Sequence, residues 1–559
     1  MILGTPRGFR DILPTEALAR ERISDVVRGI FADAGYVPVE TPLLEDRSVL
    51  ERGGRLKGSP FRLFDSDGHL LVLRPDLTLP VARMAAGRMG GTGLPLRLRY
   101  CAPVVRERQS LRGQPRQFTQ LGIELIGERG EDAELEVLTL LAKVLDELGV
   151  DAWRIVCGSV SPLTSLLDAC SLSEEFSAQA LALVHGSDLV GLDELVAGSG
   201  LVSPAAKALS RIPRIHGDAS ALDEVDQLLE ASGVPAERRG TEELRSLVAA
   251  LPADVVASHL SFDFSIINSF DYYTGIVFKA YADGIAASLA SGGRYDKVLA
   301  NLGMTGVSAC GFALSLERLQ EVLGEQGESG VVSAGVRVGE RPLRIAVPKG
   351  SLKEDTVRVL EEAGLPVGEL REPGRRLIIP AGDVEYVIVR AQDAPDFVAY
   401  GGADCGFCGS DSLIEADREL LTLVDCRYGA CRFIVAESRS RAGKAEEAYA
   451  WRGTMRVATK YPRITQAYYD RIGQQVDILS LHGNIELGPI VGMADRIVDI
   501  TATGTTLREN DLVIVDEVMS CTARFFANPS AYRCDARVRA LADRLAEVVA
   551  ADEAKGDAE

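Results

Sequence analysis

The chain has 559 residues, a length that predicts several domains. With 46% hydrophobic and 25% charged residues, its composition is that of a soluble globular protein. A net charge of −20 argues against general nucleic-acid binding, because contacts to phosphates require Lys and Arg. The sequence shows neither a secretory signal nor an apolar run of membrane-spanning length, so we expect a cytoplasmic protein without membrane or nucleic-acid partners.

The first predicted element is a helix from about Glu16 to Ala34. Thr15 is a suitable N-cap, because its hydroxyl can accept a hydrogen bond from a backbone N–H of the first turn. Gly35 is a suitable residue beyond the last turn, because it tolerates positive φ. Apolar residues recur at helical spacing, which predicts that one face packs on a core.

A strand is predicted for residues 117–127, QFTQLGIELIG. Leu121, Ile123 and Leu125 alternate with polar or small residues, as in a strand with one core face. On the other face, Gln120 and Glu124 either form the floor of a small-molecule site or face solvent, and the pattern leaves both interpretations open. The residues from about 131 to 251 are predicted to be mostly amphipathic helices.

A break in composition separates two halves of the chain. Residues 324–342 are rich in glycine, serine and charge, as flexible linkers are. We therefore predict one domain over residues 1–323 and another over residues 343–559. In the second half, predicted strands alternate with predicted helices, with strands at 343–347, 384–389 and 513–515 and a last helix at 531–550. This alternation predicts an α/β architecture.

Ten cysteines are expected to be reduced thiols in a cytoplasmic chain. Cys405 and Cys408 form a C-x-x-C pair. A metal or redox site would need a second ligand pair or a thioredoxin-like context, and Cys426 and Cys431 follow at irregular spacing. The interpretation we favour is two small residues in a tight turn.

The most informative stretch of the sequence is a short strand that leads into a threonine-rich loop. Ile497, Val498 and Ile500 predict the strand, and Asp499 lies near its end. In the loop that follows, Gly504 can adopt positive φ, so that successive N–H groups curl into an anion-binding nest. Hydroxyl groups and a helix start add further donors for a phosphate, and the preceding acid suits ribose hydroxyls. The alternative is a threonine-rich turn after a core strand.

The stretch from Glu486 to Leu507 resembles the signature of ATP phosphoribosyltransferases, which catalyse the first step of histidine biosynthesis. The matching positions are Glu486, Gly492, Ala494, Ile497, Asp499, Thr503, Gly504, Thr506 and Leu507. Further matches lie at Pro348–Gly350, Arg375–Leu377, Arg390–Pro395, Gly402–Asp404 and Gly409–Asp411. The resemblance implies an enzyme that joins ATP to phosphoribosyl pyrophosphate. It also implies a two-lobed α/β module like type II periplasmic binding proteins, with the second lobe at about 431–512.

The resemblance assigns roles to particular residues. Glu486 and Asp499 would hold ribose hydroxyls. The 5-phosphate would lie in the loop of Thr501, Ala502, Thr503, Gly504, Thr505 and Thr506. Lys349, Arg376 and Arg390 would contact phosphate charges, although each could instead be a plain surface cation. Mg²⁺ is the implied cofactor, with its protein ligands unassigned.

The first half resembles the catalytic domain of histidyl-tRNA synthetases, a class II fold with an antiparallel sheet. The matching segments are Gly4–Pro6, Gly35–Pro42, Arg74–Thr78, Arg116–Gly127, Asp271–Gly275, Gly292–Asp296 and Leu316–Arg318. The segment Gly35–Pro42 corresponds to the class II dimerisation motif, so we expect a homo-oligomer formed through this domain.

Departures from the synthetase pattern indicate that aminoacylation is lost. Asn268 replaces an arginine that stabilises charge on the activated carboxyl group, and a neutral amide does not supply that charge. Arg108 stands where the adenine-facing glutamate is expected, and Ser315 replaces a glycine. The first half therefore resembles the synthetase-like regulatory subunit of short-form ATP phosphoribosyltransferases.

That resemblance implies a histidine-binding regulatory site, with histidine as inhibitor. Its expected residues are Asp76, Thr78, Arg106, Gln120, Glu124, Tyr272 and Tyr273. The alternative is a fold kept only as a scaffold.

Two other functions compete with a fused ATP phosphoribosyltransferase. One is a histidyl-tRNA synthetase-derived enzyme with an appended domain, and the other is a non-enzymatic solute-binding module. Asn268 and the acidic charge count against the first. The predicted phosphate loop counts against the second.

Overall fold

The computed structural model describes residues 4–54, 61–107, 115–128, 130–201, 204–266, 273–283, 285–324, 341–501 and 504–556. The chain divides into two compact units, residues 1–340 and 341–559. We refer to them as unit 1 and unit 2. Of the predicted linker, only residues 324, 341 and 342 belong to the described part of the chain.

Unit 1 combines strands with many helices. Its strands are β1 (Val37–Pro38), β2 (Leu44–Asp46), β3 (Arg62–Phe64), β4 (Leu70–Leu73), β5 (Leu96–Val105), β6 (Gln117–Ile126), β7 (Arg154–Ser159), β8 (His216–Gly217), β9 (Leu260–Asp263), β10 (Ile276–Tyr281), β11 (Ala290–Arg294) and β12 (Ala309–Ser315). Its helices are α1 (Pro14–Asp33), α2 (Arg47–Gly53), α3 (Thr78–Arg88), α4 (Asp132–Glu147), α5 (Ser161–Ala169), α6 (Glu174–His185), α7 (Leu189–Gly198), α8 (Ala205–Arg211), α9 (Ala221–Ala231), α10 (Glu242–Ala250), α11 (Ala253–Ser258), α12 (Asp296–Asn301) and α13 (Leu316–Leu323).

A nine-stranded sheet forms the centre of unit 1, in the order β1-β5-β6-β12-β11-β10-β7-β9-β8. Its pairs are antiparallel except β1 with β5 and β7 with β9. The core includes Phe31 of α1, Leu141 of α4 and Ile123 of β6. As predicted, Leu121, Ile123 and Leu125 are buried, but Gln120 and Glu124 on the opposite face are buried too. The solvent-facing interpretation of that face is therefore wrong.

One sequence prediction in unit 1 needs correction. Helix α1 begins at Pro14, so Leu13 precedes the helix and Thr15 is not its N-cap. Proline suits the first helical position because it lacks an N–H group. The region 131–251 is mostly helical, and it also contains β7, which pairs with β9 and β10 of the central sheet.

Unit 2 alternates strands and helices. Its strands are β13 (Leu343–Pro348), β14 (Ile378–Ala381), β15 (Val384–Val389), β16 (Cys405–Gly409), β17 (Leu421–Asp425), β18 (Cys431–Ser438), β19 (Met455–Thr459), β20 (Val476–Ser480), β21 (Arg496–Thr501), β22 (Leu512–Cys521) and β23 (Ala523–Ala527). Its helices are α14 (Lys353–Glu362), α15 (Gly368–Arg371), α16 (Ala394–Ala399), α17 (Ser410–Ala416), α18 (Lys444–Arg452), α19 (Pro462–Arg471), α20 (Leu487–Ile490), α21 (Thr505–Glu509), α22 (Pro529–Cys534) and α23 (Ala536–Gly556).

Unit 2 contains two sheets, each the centre of one lobe. The first lobe has the strand order β14-β15-β13-β16-β23-β17, and the second has β20-β19-β21-β18-β22. The chain crosses to the second lobe between β17 and β18 and returns between β22 and β23. Because β22 pairs with β18 as far as Cys521, the second lobe extends beyond the predicted boundary near 512.

Two further predictions in unit 2 are wrong in detail. Cys405 and Cys408 lie in β16 and are buried, so they do not occupy a tight turn. The predicted last helix is two helices, because Asp535 ends α22 with extended backbone. None of the helices in the described part of the chain has the length and apolar character that a membrane crossing needs.

Candidate active site and candidate ligand pocket

Two predicted phosphate-binding cations lie together at one edge of the first lobe. Strands β13 and β15 are parallel, with Pro348 opposite Val389. Lys349 and Arg390 each follow directly on these strands, and the backbone N–H of Lys349 donates to the carbonyl of Val389 at 2.7 Å. Both side chains are exposed. The carboxyl ends of parallel strands are where open α/β sheets bind ligands.

Arg376 lies near the same edge but has an ionic partner. Strand β14 runs antiparallel to β15, and the N–H of Ile388 donates to the carbonyl of Leu377, which places Arg376 beside the end of β15. The guanidinium lies 2.7 Å from the carboxylate of Glu369, and both side chains are more than half exposed. An exposed ion pair of this kind is weak.

The two aspartates of the glycine-rich motifs lie at opposite ends of strand β16. Asp404 precedes the strand and forms an ion pair with Arg341, and it also accepts the backbone N–H of Arg344 at 2.8 Å. These contacts give Asp404 a structural role in the first lobe. Asp411 follows the strand, at the edge that carries Lys349, and burial raises the pKa of its carboxyl group.

In the second lobe, Asp499 is a buried acid at the carboxyl end of a parallel pair of strands. It lies in β21, is 9% exposed, and accepts the N–H of Ile500 at 2.8 Å. Burial raises its pKa, Lys460 lowers it and Glu486 raises it further. Lys460 and Glu486 therefore act on the same carboxylate. Glu486 is the other acid that the sequence pattern predicts for a ribose site.

Lys460 was not predicted as a site residue. It follows directly on β19, and the register of β19 with β21 places it beside Asp499. A lysine directly after a short apolar strand can be recognised in the sequence as a candidate for the edge of a sheet. Only the pairing of β19 with β21 shows that this lysine approaches Asp499.

The described residues of the threonine-rich loop form a left-handed turn before a short helix. Gly504 has φ of 69°, and its N–H donates to the hydroxyl of Thr501 at 2.9 Å. Helix α21 begins at Thr505, directly after this glycine. The predicted residues Ala502 and Thr503 lie outside the described part of the chain.

The carboxyl-terminal strand ends of the two lobes face each other across a cleft. Tyr461, which follows Lys460, is buried and forms side-chain hydrogen bonds with Asp411 and Gln392 of the first lobe. Nearby, the backbone N–H groups of Arg463 and Ile464 donate to the carboxylate of Glu415. These contacts hold the edge of the first lobe that carries Lys349 and Arg390 opposite the edge of the second lobe that carries Asp499 and the threonine-rich loop.

Unit 1 contains a cluster of buried polar side chains where the sequence predicts a ligand pocket. Glu124 is 1% exposed, and it accepts hydrogen bonds from Tyr100 at 3.1 Å and from Tyr295 at 2.5 Å. Burial raises the pKa of its carboxyl group to about 7, while the hydroxyls of Tyr295, Thr78 and Tyr100 act in the opposite direction. Gly311 leaves room for this arrangement, because a Cβ there would lie 2.2 Å from the Glu124 carboxylate.

Two buried acceptors among the predicted ligand-site residues have no hydrogen-bond partner among the described residues. They are Oδ2 of Asp76 and Oε1 of Gln120. The other carboxylate oxygen of Asp76 accepts the N–H of Leu79 at 3.2 Å. Because buried polar atoms are normally paired, two orphan acceptors indicate a ligand that offers hydrogen-bond donors.

The remaining predicted ligand-site residues lie in different surroundings. Tyr273 is buried, and its phenol lies near Glu124 and forms a side-chain hydrogen bond with Ser291. Arg106 lies over the ring of Phe118, 4.9 Å from its centre, while its Nε donates to the carbonyl of Pro75. Tyr272 lies outside the described residues.

One group of side chains has the spacing of a metal site in the described part of the chain: Asp65, Asp67 and His69 in the turn between β3 and β4. Asp65 already accepts backbone N–H groups of Asp67 and His69, as in an ordinary polar turn. This group lies in unit 1 and is no part of the cleft of unit 2.

The fold defines a class of protein, namely a class II synthetase-like domain joined to a two-lobed α/β module. The family model for histidyl-tRNA synthetase matches residues 8–319, and the model for ATP phosphoribosyltransferase matches residues 390–547.

Each half of the chain is similar to known proteins. An ATP phosphoribosyltransferase of Rubrobacter xylanophilus is 50% identical over 202 residues, which are 36% of this chain and 94% of the relative. An ATP phosphoribosyltransferase regulatory subunit of Desulfitobacterium hafniense is 35% identical over 319 residues, 57% of this chain and 82% of the relative. A solved regulatory subunit/histidyl-tRNA synthetase of Bacillus halodurans has a TM-score of 0.54 at 26% identity, covering 70% of this chain and 93% of that one.

The chain therefore belongs to the ATP phosphoribosyltransferase family, with a synthetase-like regulatory half and a catalytic half in one polypeptide. The predicted family resemblance and the predicted class of enzyme are confirmed, as is the class II synthetase-like fold of the first half.

Proposed function

We propose that the cleft of unit 2 joins ATP to phosphoribosyl pyrophosphate, and that the pocket of unit 1 binds histidine, which inhibits the reaction. The catalytic part of this proposal depends on the approach of the carboxyl-terminal strand ends of the two lobes of unit 2. Lys349 and Arg390 end parallel strands of one lobe, and Asp499 with the loop at Gly504 ends a strand of the other. Tyr461 joins the edges through Asp411.

The proposed reaction is a displacement at the anomeric carbon. A ring nitrogen of adenine attacks this carbon, the bond to the pyrophosphate oxygen breaks, and the configuration inverts. Asp499 and Glu486 hold the ribose hydroxyls and so fix the position of the anomeric carbon. The hydroxyl and amide groups at Thr501–Thr506 hold the 5-phosphate. Lys349, Arg376 and Arg390 stabilise the negative charge that grows on pyrophosphate.

Magnesium is the proposed cofactor. The cleft offers the buried carboxylate of Asp499 and, near it, that of Glu486, and hard oxygen ligands of this kind suit Mg²⁺. When bound, the ion neutralises charge on the leaving pyrophosphate. The protein residues do the remaining work of binding and orienting the two substrates.

The regulatory part of the proposal depends on the orphan acceptors of the unit 1 pocket. Histidine offers an ammonium group and an imidazole N–H, and Asp76 and Gln120 offer buried acceptors without partners. Glu124 has both carboxylate oxygens occupied by tyrosine hydroxyls, so its main role is to hold the floor of the pocket in place. Inhibition requires that histidine bind two states of the chain with different affinity.

We also propose that the chain forms a homo-oligomer through unit 1 and functions in the cytoplasm. Helix α1 and strand β1 expose large apolar side chains, among them Leu18 and Val37, which supports an interface there. The two crossings between the lobes of unit 2 support the type II periplasmic-binding-protein-like topology.

The test is a two-substrate assay on the purified chain. Release of pyrophosphate from ATP and phosphoribosyl pyrophosphate, with phosphoribosyl-ATP as the second product, is expected, and added histidine is expected to slow it. Charging of tRNA with histidine is expected to be undetectable. Histidyl-tRNA formation without phosphoribosyl-ATP formation would overturn the proposal in favour of a synthetase-derived enzyme.

A further inference from the structure

Two cysteines lie opposite each other where the chain crosses between the lobes of unit 2. Cys431 is the first residue of β18, directly after the outward crossing, and Cys521 is the last residue of β22, directly before the return. The antiparallel register of β18 and β22 pairs these two residues. The crossings themselves lie side by side, since the N–H of Ala523 donates to the carbonyl of Tyr428 at 2.9 Å.

The pair has the spacing that a disulfide requires. Residues directly opposite in an antiparallel ladder have Cα atoms about 4.5–5.5 Å apart. Disulfides span Cα separations of about 4.4–6.8 Å. The register also places the two side chains on the same face of the sheet, directly opposite each other. A disulfide could therefore form here with little movement of the backbone.

The surroundings favour reaction at this pair. The thiol hydrogen bond from Cys431 lowers the pKa of Cys521, and burial opposes this effect. A thiolate is the reactive form of cysteine. Cys521 is buried, whereas Cys431 is partly exposed, so the pair can be reached from solvent.

The other close cysteines of unit 2 differ. Cys405 and Cys408 are three positions apart in β16, so their side chains point to opposite faces of the sheet. Burial raises the pKa of both thiols well above the usual value. These two cysteines therefore cannot pair with each other and are poor nucleophiles.

We propose that Cys431 and Cys521 form a reversible disulfide when a peroxide oxidises the chain, and that this bond slows the transferase by restraining the hinge between the lobes. The consequence for activity rests on the proposed catalytic cleft, since both crossings must adjust when the lobes close on substrates. Tyr461 connects the pair to that cleft, because it lies near Cys431, Asp411 and Asp499.

The chemistry consumes one peroxide per disulfide. The Cys521 thiolate attacks one peroxide oxygen, the O–O bond breaks, and the hydroxide that leaves takes up a proton to become water, leaving a sulfenic acid. The Cys431 sulfur then attacks the Cys521 sulfur, the S–O bond breaks, and the S–S bond forms. The proton of Cys431 leaves with the hydroxyl group as a second water. The two sulfurs are each oxidised by one electron and the peroxide is reduced by two.

The test treats the full-length chain with hydrogen peroxide and maps its peptides without reduction. The expected result is a linked peptide that contains Cys431 and Cys521, together with a several-fold fall in phosphoribosyl-ATP formation that dithiothreitol reverses. Cys431→Ser and Cys431→Ala are each expected to keep their untreated activity after peroxide. Cys170→Ser, at a partly exposed cysteine of unit 1, is the matched control and should respond like the wild type.

Absence of the linked peptide would overturn the disulfide. Formation of the linked peptide without loss of activity, or an equal loss in both Cys431 variants, would overturn the restraint of the hinge. The peptide measurement does not depend on catalysis. If the reduced wild type formed no phosphoribosyl-ATP, the proposed function would fail while the linked peptide still decided whether the disulfide exists.

Discussion

Lys460 and Asp499 lie side by side at the carboxyl ends of two parallel strands. The register of β19 and β21 pairs Thr459 with Val498, and Lys460 and Asp499 are the residues that follow this pair. Burial raises the pKa of the Asp499 carboxyl group, and the positive charge of Lys460 acts in the opposite direction. In the proposed site, Asp499 accepts hydrogen bonds from ribose hydroxyls, and Lys460 contacts a negative charge of the phosphoribosyl group.

Lys460→Met is expected to weaken use of phosphoribosyl pyrophosphate. Loss of one charged hydrogen bond costs about 1.5–3 kcal/mol, which corresponds to a fall in kcat/KM of about 10-fold to about 100-fold. The measurement is the steady-state rate as a function of phosphoribosyl pyrophosphate. Lys444→Met, at an exposed lysine that begins α18, is the control and should match the wild type. An unchanged kcat/KM for the Lys460 variant would remove this residue from the site.

Thr506→Val tests the phosphate loop within its described residues. The change removes a hydroxyl at the start of α21 without changing the size of the side chain much. We expect the dissociation constant for phosphoribosyl pyrophosphate to rise by about 10-fold or more, since the lost donor serves a charged group. Thr454→Val, in the turn before β19, is a control on the same lobe. Equal affinity of both variants and the wild type, measured by calorimetry, would place the 5-phosphate elsewhere. Thr503→Val carries the same expectation at a residue outside the described part of the chain.

Glu124 gives unit 1 a dependence of stability on pH. Burial raises the pKa of this carboxyl group from 4.5 to about 7. Between these values the folded chain keeps a proton that the unfolded chain has released, so stability falls as pH rises through this window and levels off above it. One proton contributes at most about 1.4 kcal/mol per pH unit.

Glu124→Gln should remove that contribution while keeping the shape of the side chain. Denaturation of unit 1 by urea, followed at several pH values within the window, measures the slope in both proteins. The same slope in the variant and the wild type would show that Glu124 is ionised in the folded chain throughout.

The sequence predicted best those features that depend on contiguous residues. Strand β15 was predicted with its observed limits, because Val384–Val389 is rich in β-branched and aromatic residues and has a glycine and an acid before it. The approach of Glu486 to Asp499 also follows from one short stretch. By contrast, Lys460 could not be assigned to Asp499, because their proximity arises from parallel pairing of two strands that are distant in the sequence.

Other differences between the predicted and the observed elements arise from contacts between distant residues or from local hydrogen bonds. Strand β7 was missed because it is a short element between helices, and its place in the sheet depends on distant partners β9 and β10. The last helix was predicted as continuous because the apolar spacing of Val538, Leu541 and Leu545 is helical. The break before it occurs where buried Asp535 accepts the N–H of Arg537 and so begins α23 separately. Gln120 and Glu124 were ambiguous, because alternation alone does not show what covers a polar face.

The central claim is that one chain senses histidine in unit 1 and catalyses phosphoribosyl transfer in unit 2. Its most direct test is the rate of phosphoribosyl-ATP formation by the wild type and by Asp76→Asn over a range of histidine concentrations. The substitution keeps the shape of Asp76 but removes the charge of its unpartnered buried oxygen. The account predicts that the variant keeps most of the wild-type rate without histidine and loses histidine inhibition. Inhibition of the variant at wild-type histidine concentrations would contradict the account, since the sensor would then lie outside this pocket.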